Sequence, residues 1–311
     1  FQAEDGIRDS VASRGLGDVY KRQAEETAHI TMLQRSPSYI FSIPGHDKLS
    51  EMLDTVLPSD WVFGMARWRN IKLQRLIYKA SKKYPNFMRK LLLSNVKRHV
   101  GDGVDMAHFS PSYMPWDERL CAVPDADLFK DLRDGKASVV TDHIETFTEN
   151  GILLKSGREL EADIIITATG LNLQVLGGMQ LSLNGEPLDV SERMTYKGVL
   201  MEGVPNMAWV FGYTNASWTL KADIAAAYVC RLLNYLKENR LSVAMPRAEC
   251  AQPQQDHSIM DALGSGYVQR SSHLLPRQGQ GHPWRVTNHY AHDSHMLLEE
   301  PVEDGFLAFS R

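Results

Sequence analysis

Ala162-Asp163-Ile164-Ile165-Ile166-Thr167-Ala168-Thr169-Gly170 is the stretch on which the fold reading turns. Its isoleucines and threonines run without alternation, which suits a strand covered on both faces, as in a parallel sheet. The end, Ala168-Thr169-Gly170, offers backbone that a ligand can approach where a Cβ would obstruct it. A plain core strand closed by a turn glycine fits the same residues, so the decision rests on the segments around it.

Upstream, Ile144 to Leu160 alternates in short pieces around Asn150-Gly151 and Ser156-Gly157, tight-turn pairs that predict a small antiparallel meander. Before it, Asp127 to Asp134 reads as a short helix closed by Gly135, and Ala137-Ser138-Val139-Val140-Thr141 as a strand. His108 to Cys121 is rich in proline and aromatics and barely periodic, the mark of an ordered, function-bearing loop. From Lys48 to Val100 the pattern is helical. Ser59-Asp60 after Pro58 starts one helix, with Leu73, Leu76, Ile77 and Ala80 on one face, and Pro85 starts the next.

Between Trp61 and Val100 there is no acidic residue. Arg67, Arg69, Lys72, Arg75, Lys79, Lys82, Lys83, Arg89, Lys90, Lys97 and Arg98 all fall there. Such a basic amphipathic pair reads either as a solvated face that attracts a polyanionic cofactor or as a contact with an anionic membrane surface, an option that Trp61 and Trp68 keep open. Further back, His29 to Pro37 begins as a strand and ends in Gln34-Arg35-Ser36-Pro37. In a doubly wound dinucleotide domain the end of the second strand meets the adenosine ribose. There Arg35, with its planar donor fork, and Ser36 suit a 2′-phosphate.

Downstream, Leu181 to Val190 is a short β segment turning at Asn184-Gly185, and Pro205 to Tyr213 repeats the device of a buried strand ending at glycine. Thr214 to Thr219 is a hydroxyl-rich turn that can cap a helix from about Leu220 to Glu238, whose first amides and dipole favour electron-rich atoms. The last stretch, 241–311, has little period and reads as a wrapping tail or lid.

The formal net charge of -4 over 311 residues gives no reason to expect a nucleic-acid partner. The cysteines Cys121, Cys230 and Cys250 are widely spaced, against a secreted disulfide scaffold or a CxxC redox pair. No apolar run approaches the roughly 18 residues of a membrane-crossing helix, and a soluble, cytoplasmic protein without a metal site is expected. Residues 1–23 look like translated sequencing-adapter sequence and are set aside. The natural protein is then expected to start upstream.

Four stretches in order carry a resemblance: Met-Leu-Gln-Arg-Ser-Pro at 32–37, Pro-Trp-Asp-Glu-Arg-Leu-Cys at 115–121, Asp-Ile-Ile-Ile-Thr-Ala-Thr-Gly at 163–170 and Phe-Gly-Tyr-Thr-Asn-Ala-Ser-Trp-Thr-Leu at 211–220. Together they resemble the C-terminal part of class B flavin monooxygenases of the Baeyer–Villiger type, near the ethionamide-activating group. The resemblance implies an α/β fold, a partial glutathione-reductase-like flavoprotein with two dinucleotide-binding domains and a helical insertion. Residues 24–47 would end the NADPH-binding domain, 48–110 form the basic insertion and 111–240 the rest of the NADPH- and FAD-binding domains. It also implies FAD and NADPH as cofactors, and transfer of one oxygen atom from O₂, through a peroxyflavin, to a ketone, a sulfide or a thioamide.

Carried over by position, Arg119 corresponds to the active-site arginine that stabilises the charged oxygenating flavin. Arg35 and Ser36 match the 2′-phosphate contacts, Ala168, Thr169 and Gly170 the backbone near the cofactors, and Thr219 and Leu220 the helix start beside the flavin ring. An ion pair with Asp117 is the competing role for Arg119. Glu118 stands where some relatives have a basic NADPH contact. No GxGxxG fingerprint occurs in residues 24–311, so the chain alone is expected not to turn over. A catalytically inactive fragment, or a flavin-fold protein associated with a membrane surface through residues 61–100, is the alternative reading.

Overall fold

The computed structural model describes residues 26–118, 120–170, 172–247, 253–260 and 266–311. The chain divides between Thr169 and Gly170 into two units, each with its own apolar core.

In the first unit β1 (Ile30–Gln34) runs parallel to β4 (Ala137–Thr141), and β2 (Ile40–Ile43) runs parallel to β3 (Cys121–Pro124). Parallel neighbours need long crossovers. Here these hold α1 (Lys48–Asp54), α2 (Ser59–Lys83) and α3 (Pro85–Val100) before β3, and α4 (Asp127–Arg133) after it. The punctuation is local chemistry. Asp47 accepts from the Ser50 amide at the start of α1, Pro58 precedes α2, and Pro85 takes the first position of α3, where a missing N–H costs nothing.

Strand β4 is covered on both faces, as a parallel strand should be. Ala137 and Val139 join Val96, Phe109, Leu128 and Phe129 in one cluster, while Val140 packs with Ile152 and Leu154 on the other side. The latter pair belongs to an antiparallel meander of β5 (Ile144–Phe147), β6 (Gly151–Leu154) and β7 (Glu159–Glu161), turning where Asn150-Gly151 and Ser156-Gly157 require it.

Two expectations change in this unit. The stretch Ala162–Gly170 lies outside any strand and is exposed, not a buried strand: Ile164 is 77% exposed, and no described strand pairs with residues 163–170. An apolar run of this kind becomes a buried strand only when it finds a ladder partner and a cover for each face, and the described residues supply neither. Likewise Leu73, Leu76 and Ile77 of α2 are exposed, whereas Val62, Ala66 and Ser81 are buried. Periodicity defines a helix face but not whether another element covers it.

The second unit is built on α5 (Trp218–Glu238), which starts two residues before the predicted Leu220. Ile224, Tyr228, Leu232 and Leu236 recur every four residues and form its buried stripe. Burying each contributes about 1.5–3 kcal/mol. Before α5 come the hairpin of β8 (Leu181–Leu183) and β9 (Glu186–Leu188), turning at Asn184-Gly185 with φ of 55° and 90°, and the pair β10 (Thr195–Tyr196) and β11 (Leu200–Met201). After it come β12 (Val243–Pro246), β13 (Pro253–Ser258), α6 (Gly266–Ser271), β14 (Arg277–Gly279), α7 (Tyr290–Leu298) and β15 (Leu307–Ser310). Strand β12 pairs with β15 and β13 with β14, both antiparallel.

Trp284, Met296, Leu297, Val302 and Leu307 lie in the same cluster as the α5 stripe, so residues after 241 supply core and do more than wrap it. Pro205 to Tyr213 forms no strand. Its ladder contact is one bridge, Leu200 to Ala208, with the Trp209 amide donating to Val199 O.

Candidate functional site

The carboxyl ends of parallel strands are where α/β sheets present their ligands. For the β1–β4 pair of the first unit those ends are Gln34 and Thr141, side by side. Gln34 Nε2 donates to Thr141 Oγ1 (2.8 Å) and to His108 O (2.7 Å), and His108 Nδ1 lies 2.7 Å from the same hydroxyl. This knot fixes the strand ends and holds the start of the aromatic loop against them. Arg35 and Ser36 follow β1 directly and are exposed.

The loop from Phe109 to Glu118 is held by cations of the helical pair, so that part of the basic stretch is anchorage. Arg89 Nη1 donates to Tyr39 Oη (2.8 Å), Pro111 O (2.6 Å) and Tyr113 O (3.2 Å), and Tyr39 Oη donates to Tyr113 O at 2.8 Å. Lys82 Nζ reaches Trp116 O (3.1 Å) and Asp117 Oδ1 (3.0 Å). The Lys82 hydrogen bond holds the Asp117 carboxyl below its ordinary range. Trp116, at φ 70°, packs edge-on against Tyr78 with centroids 5.6 Å apart. Arg119, the predicted catalytic residue, lies outside the described residues; Glu118 before it is exposed and Leu120 after it is buried.

In the second unit the predicted helix start is present. Ser217 is the N-cap of α5 but makes no side-chain bond to a first-turn amide; its Oγ sits 2.7 Å from Thr219 Oγ1. The hydroxyl-rich turn therefore does not cap the helix as expected. The Ser217 side chain takes up none of its first amides, and Thr219 is half-buried, with Leu220 buried. Gly212 has a role other than ligand access: an added Cβ would come 2.1 Å from Trp218 Cγ. The indole rests on bare backbone.

Sequence reading missed what positions this turn. Asp293, on α7, accepts from Lys221 Nζ (2.8 Å) and Tyr213 Oη (2.9 Å) at Oδ2 and from Thr287 Oγ1 (2.9 Å) at Oδ1. Asn288 adds a second fastening, its Oδ1 accepting from the Thr214 amide (3.3 Å) and its carbonyl from Asn215 Nδ2 (3.1 Å). Lys221, Tyr213 and Asp293 are buried. Burial draws the Lys221 pKa down against the pull of Asp293, and burial, then Asp293, pushes Tyr213 up. Lys221 in the apolar stripe of α5 was the available signal, since a buried cation demands a partner. The partner, 72 residues away, carries no spacing rule.

Ala168 and Thr169 end the first unit and Gly170 opens the second; all three are exposed, and Gly170 sits at φ 119° with open space around it. The glycine there serves backbone conformation.

The fold is similar to about half of each of several solved monooxygenases. OTEMO in complex with FAD and NADP aligns with a TM-score of 0.57 over 80% of this chain and 53% of its own, at 14% identity. A cyclohexanone monooxygenase variant of Rhodococcus sp. Phi1 bound to NADP+ aligns at 0.56 over 77% and 54%, at 15% identity. These likenesses are of fold. No protein-family model matches the chain. By sequence the chain is a homologue of the FAD-containing monooxygenases. It is 59% identical over 285 residues to MymA of Mycobacterium tuberculosis, covering 91% of this chain and 57% of that protein. It is 50% identical over 283 residues to the FAD-binding monooxygenase AlmA of Acinetobacter baylyi and 47% identical over 290 residues to EthA of Mycolicibacterium smegmatis. The chain thus spans a little over half the length of these relatives.

Proposed function

We propose that this chain serves an FAD- and NADPH-dependent monooxygenase that transfers one oxygen atom from O₂ to a small molecule, inserting it into a ketone or adding it to the sulfur of a sulfide or thioamide. The 59% identity to a relative named as an FAD-containing monooxygenase carries the reading. The donors present fit the cofactors. Arg35 and Ser36 follow β1 exposed, as a 2′-phosphate requires, and the Ser217 side chain leaves the first amides of α5 uncapped. FAD, when bound and reduced by NADPH, supplies the O₂ chemistry.

In this reading Arg119 holds a permanent positive charge where negative charge develops on the cofactor, in a poorly solvated site. Arg89 and Lys82 position the loop that carries it. Thr219 and Leu220 present amides to the electron-rich edge of the ring, and Ala168, Thr169 and Gly170 lie near the cofactors. The enzyme works in the cytoplasm, with residues 61–100 in contact with a membrane surface.

The test is the chain extended to the full length of its relatives. A yellow protein that consumes NADPH supports the reading, and a folded but colourless one overturns it. The 311-residue chain alone is expected to show no turnover. Arg119→Ala in the extended protein leaves flavin reduction by NADPH intact and lowers oxygenated product about 100-fold or more; stopped-flow absorbance separates the two steps. Arg35→Ala raises the NADPH KM about 10- to 100-fold, the worth of a charge-assisted contact, with kcat nearly unchanged. Equal NADPH and NADH kinetics in the parent would remove Arg35 from this role.

A further inference from the structure

We infer that α1 and α2 form a wedge that docks this protein on the surface of a bilayer rich in anionic lipid. Trp61, Met65, Trp68 and Leu76 recur along one side of α2 and are exposed, the two tryptophans to 69% and 63%. Lys72, Lys79 and Lys83 continue that stripe and are exposed too, with Lys72 Nζ 4.9 Å from the centre of the Trp68 ring. Beside it, α1 has no buried residue, and Leu49 and Met52 of α1 and Val56 just after it are exposed. Arg69 reaches back to Asp47, the residue that caps α1, and ties the two helices together.

Large apolar and aromatic side chains standing in water on one helix face mark an interaction surface. The charge pattern selects its occupant. The carboxylates of the wedge, Glu51, Asp54 and Asp60, lie on α1 and at the very start of α2, and none occurs from Trp61 to Val100, so two copies meeting through the α2 stripe would bring cation against cation. Nucleic acid would engage the lysines, yet the aliphatic Met52, Val56, Met65 and Leu76 would gain nothing from a sugar-phosphate surface. An anionic bilayer satisfies both halves. Tryptophan rings settle at the headgroup level, aliphatic side chains enter the acyl boundary, and lysines snorkel to the lipid phosphates.

The inference stands apart from the oxygenation reading, because its test contains neither FAD nor NADPH. The 311-residue chain is floated with phosphatidylcholine vesicles and with vesicles containing phosphatidylglycerol, at low and high salt. Binding to the anionic vesicles alone, weakened by salt and accompanied by a blue shift of tryptophan emission, is the expected result. Trp61→Ala/Trp68→Ala and Lys72→Glu/Lys79→Glu/Lys83→Glu, with unchanged far-ultraviolet circular dichroism, each lose binding, the latter about 100-fold or more at about fivefold per lysine. Equal binding to both vesicle types, salt-insensitive binding, or full binding by the charge-reversed variant overturns the inference. So does preferential binding to double-stranded DNA, a dimer whose formation these variants abolish, or loss of vesicle binding when the chain is extended to the full length of its relatives.

Discussion

Asp293→Ala lowers the unfolding free energy of the second unit by about 3–5 kcal/mol, the cost of leaving a buried charge without its partner. Lys221 is buried, its Nζ lies 2.8 Å from Asp293 Oδ2, and the same carboxylate takes the Tyr213 and Thr287 hydroxyls, so one truncation orphans three donors. Urea titration of the chain, followed by circular dichroism, reads the loss. Lys221→Met/Asp293→Leu recovers the part owed to the orphaned lysine, because a matched apolar pair needs no compensation, while the Tyr213 and Thr287 hydroxyls stay without their acceptor. A single variant within about 1 kcal/mol of the parent would mean that the pair contributes as little as a surface ion pair.

The pH dependence of this deficit has a definite sign. The folded-state pKa of Lys221 is already below 10.5 because of burial, and Asp293 resists the shift. Without Asp293 the lysine sheds its proton at lower pH in the folded state, whereas the unfolded chain keeps it until about 10.5. Between those values the unfolded state binds more protons, so stability rises with pH. The deficit of Asp293→Ala against the parent therefore narrows as pH is raised from neutral toward about 10. A constant deficit would place its origin in the lost hydroxyl contacts instead.

Gly212→Ala has the second large effect, about 1–3 kcal/mol of overpacking, because the new Cβ would stand 2.1 Å from Trp218 Cγ. The indole must leave the Gly212 backbone, and Trp218 is the first residue of α5, so the displacement passes into the turn that presents Thr219 and Leu220. Near-ultraviolet circular dichroism of the tryptophans changes along with the unfolding midpoint. Gly212→Ala in a Trp218→Ala background costs much less than in the parent, and additive costs would show that the clash lies elsewhere.

Features decided by a few neighbouring residues were legible in the sequence. Pro58, Pro85, Gly135 and the Asn184-Gly185 pair place their helix starts, helix end and hairpin because each acts through its own φ or its missing N–H. Features decided by partners were not. Ile164–Ile166 and Leu73–Ile77 carry core-like patterns and stand exposed, since hydrophobicity states a demand for cover and leaves the cover unnamed. The site divides the same way. Arg35 and Ser36 were singled out for what a guanidinium and a hydroxyl can bind, and they follow the end of β1. Asp293 and Asn288 were invisible because they act on a turn more than 70 residues earlier, through contacts that only the packed tail creates.

The exposed isoleucine run also bears on how the chain survives in crowded solution. Unpaired backbone flanked by β-branched side chains is a template on which another extended segment can add itself and start an aggregate. Glu159, Glu161 and Asp163 precede that run, all exposed. Carboxylates at the mouth of a sticky segment repel a second copy approaching in register and act as gatekeepers. Neutralising these three acids would turn the 162–170 stretch from a guarded edge into a seed.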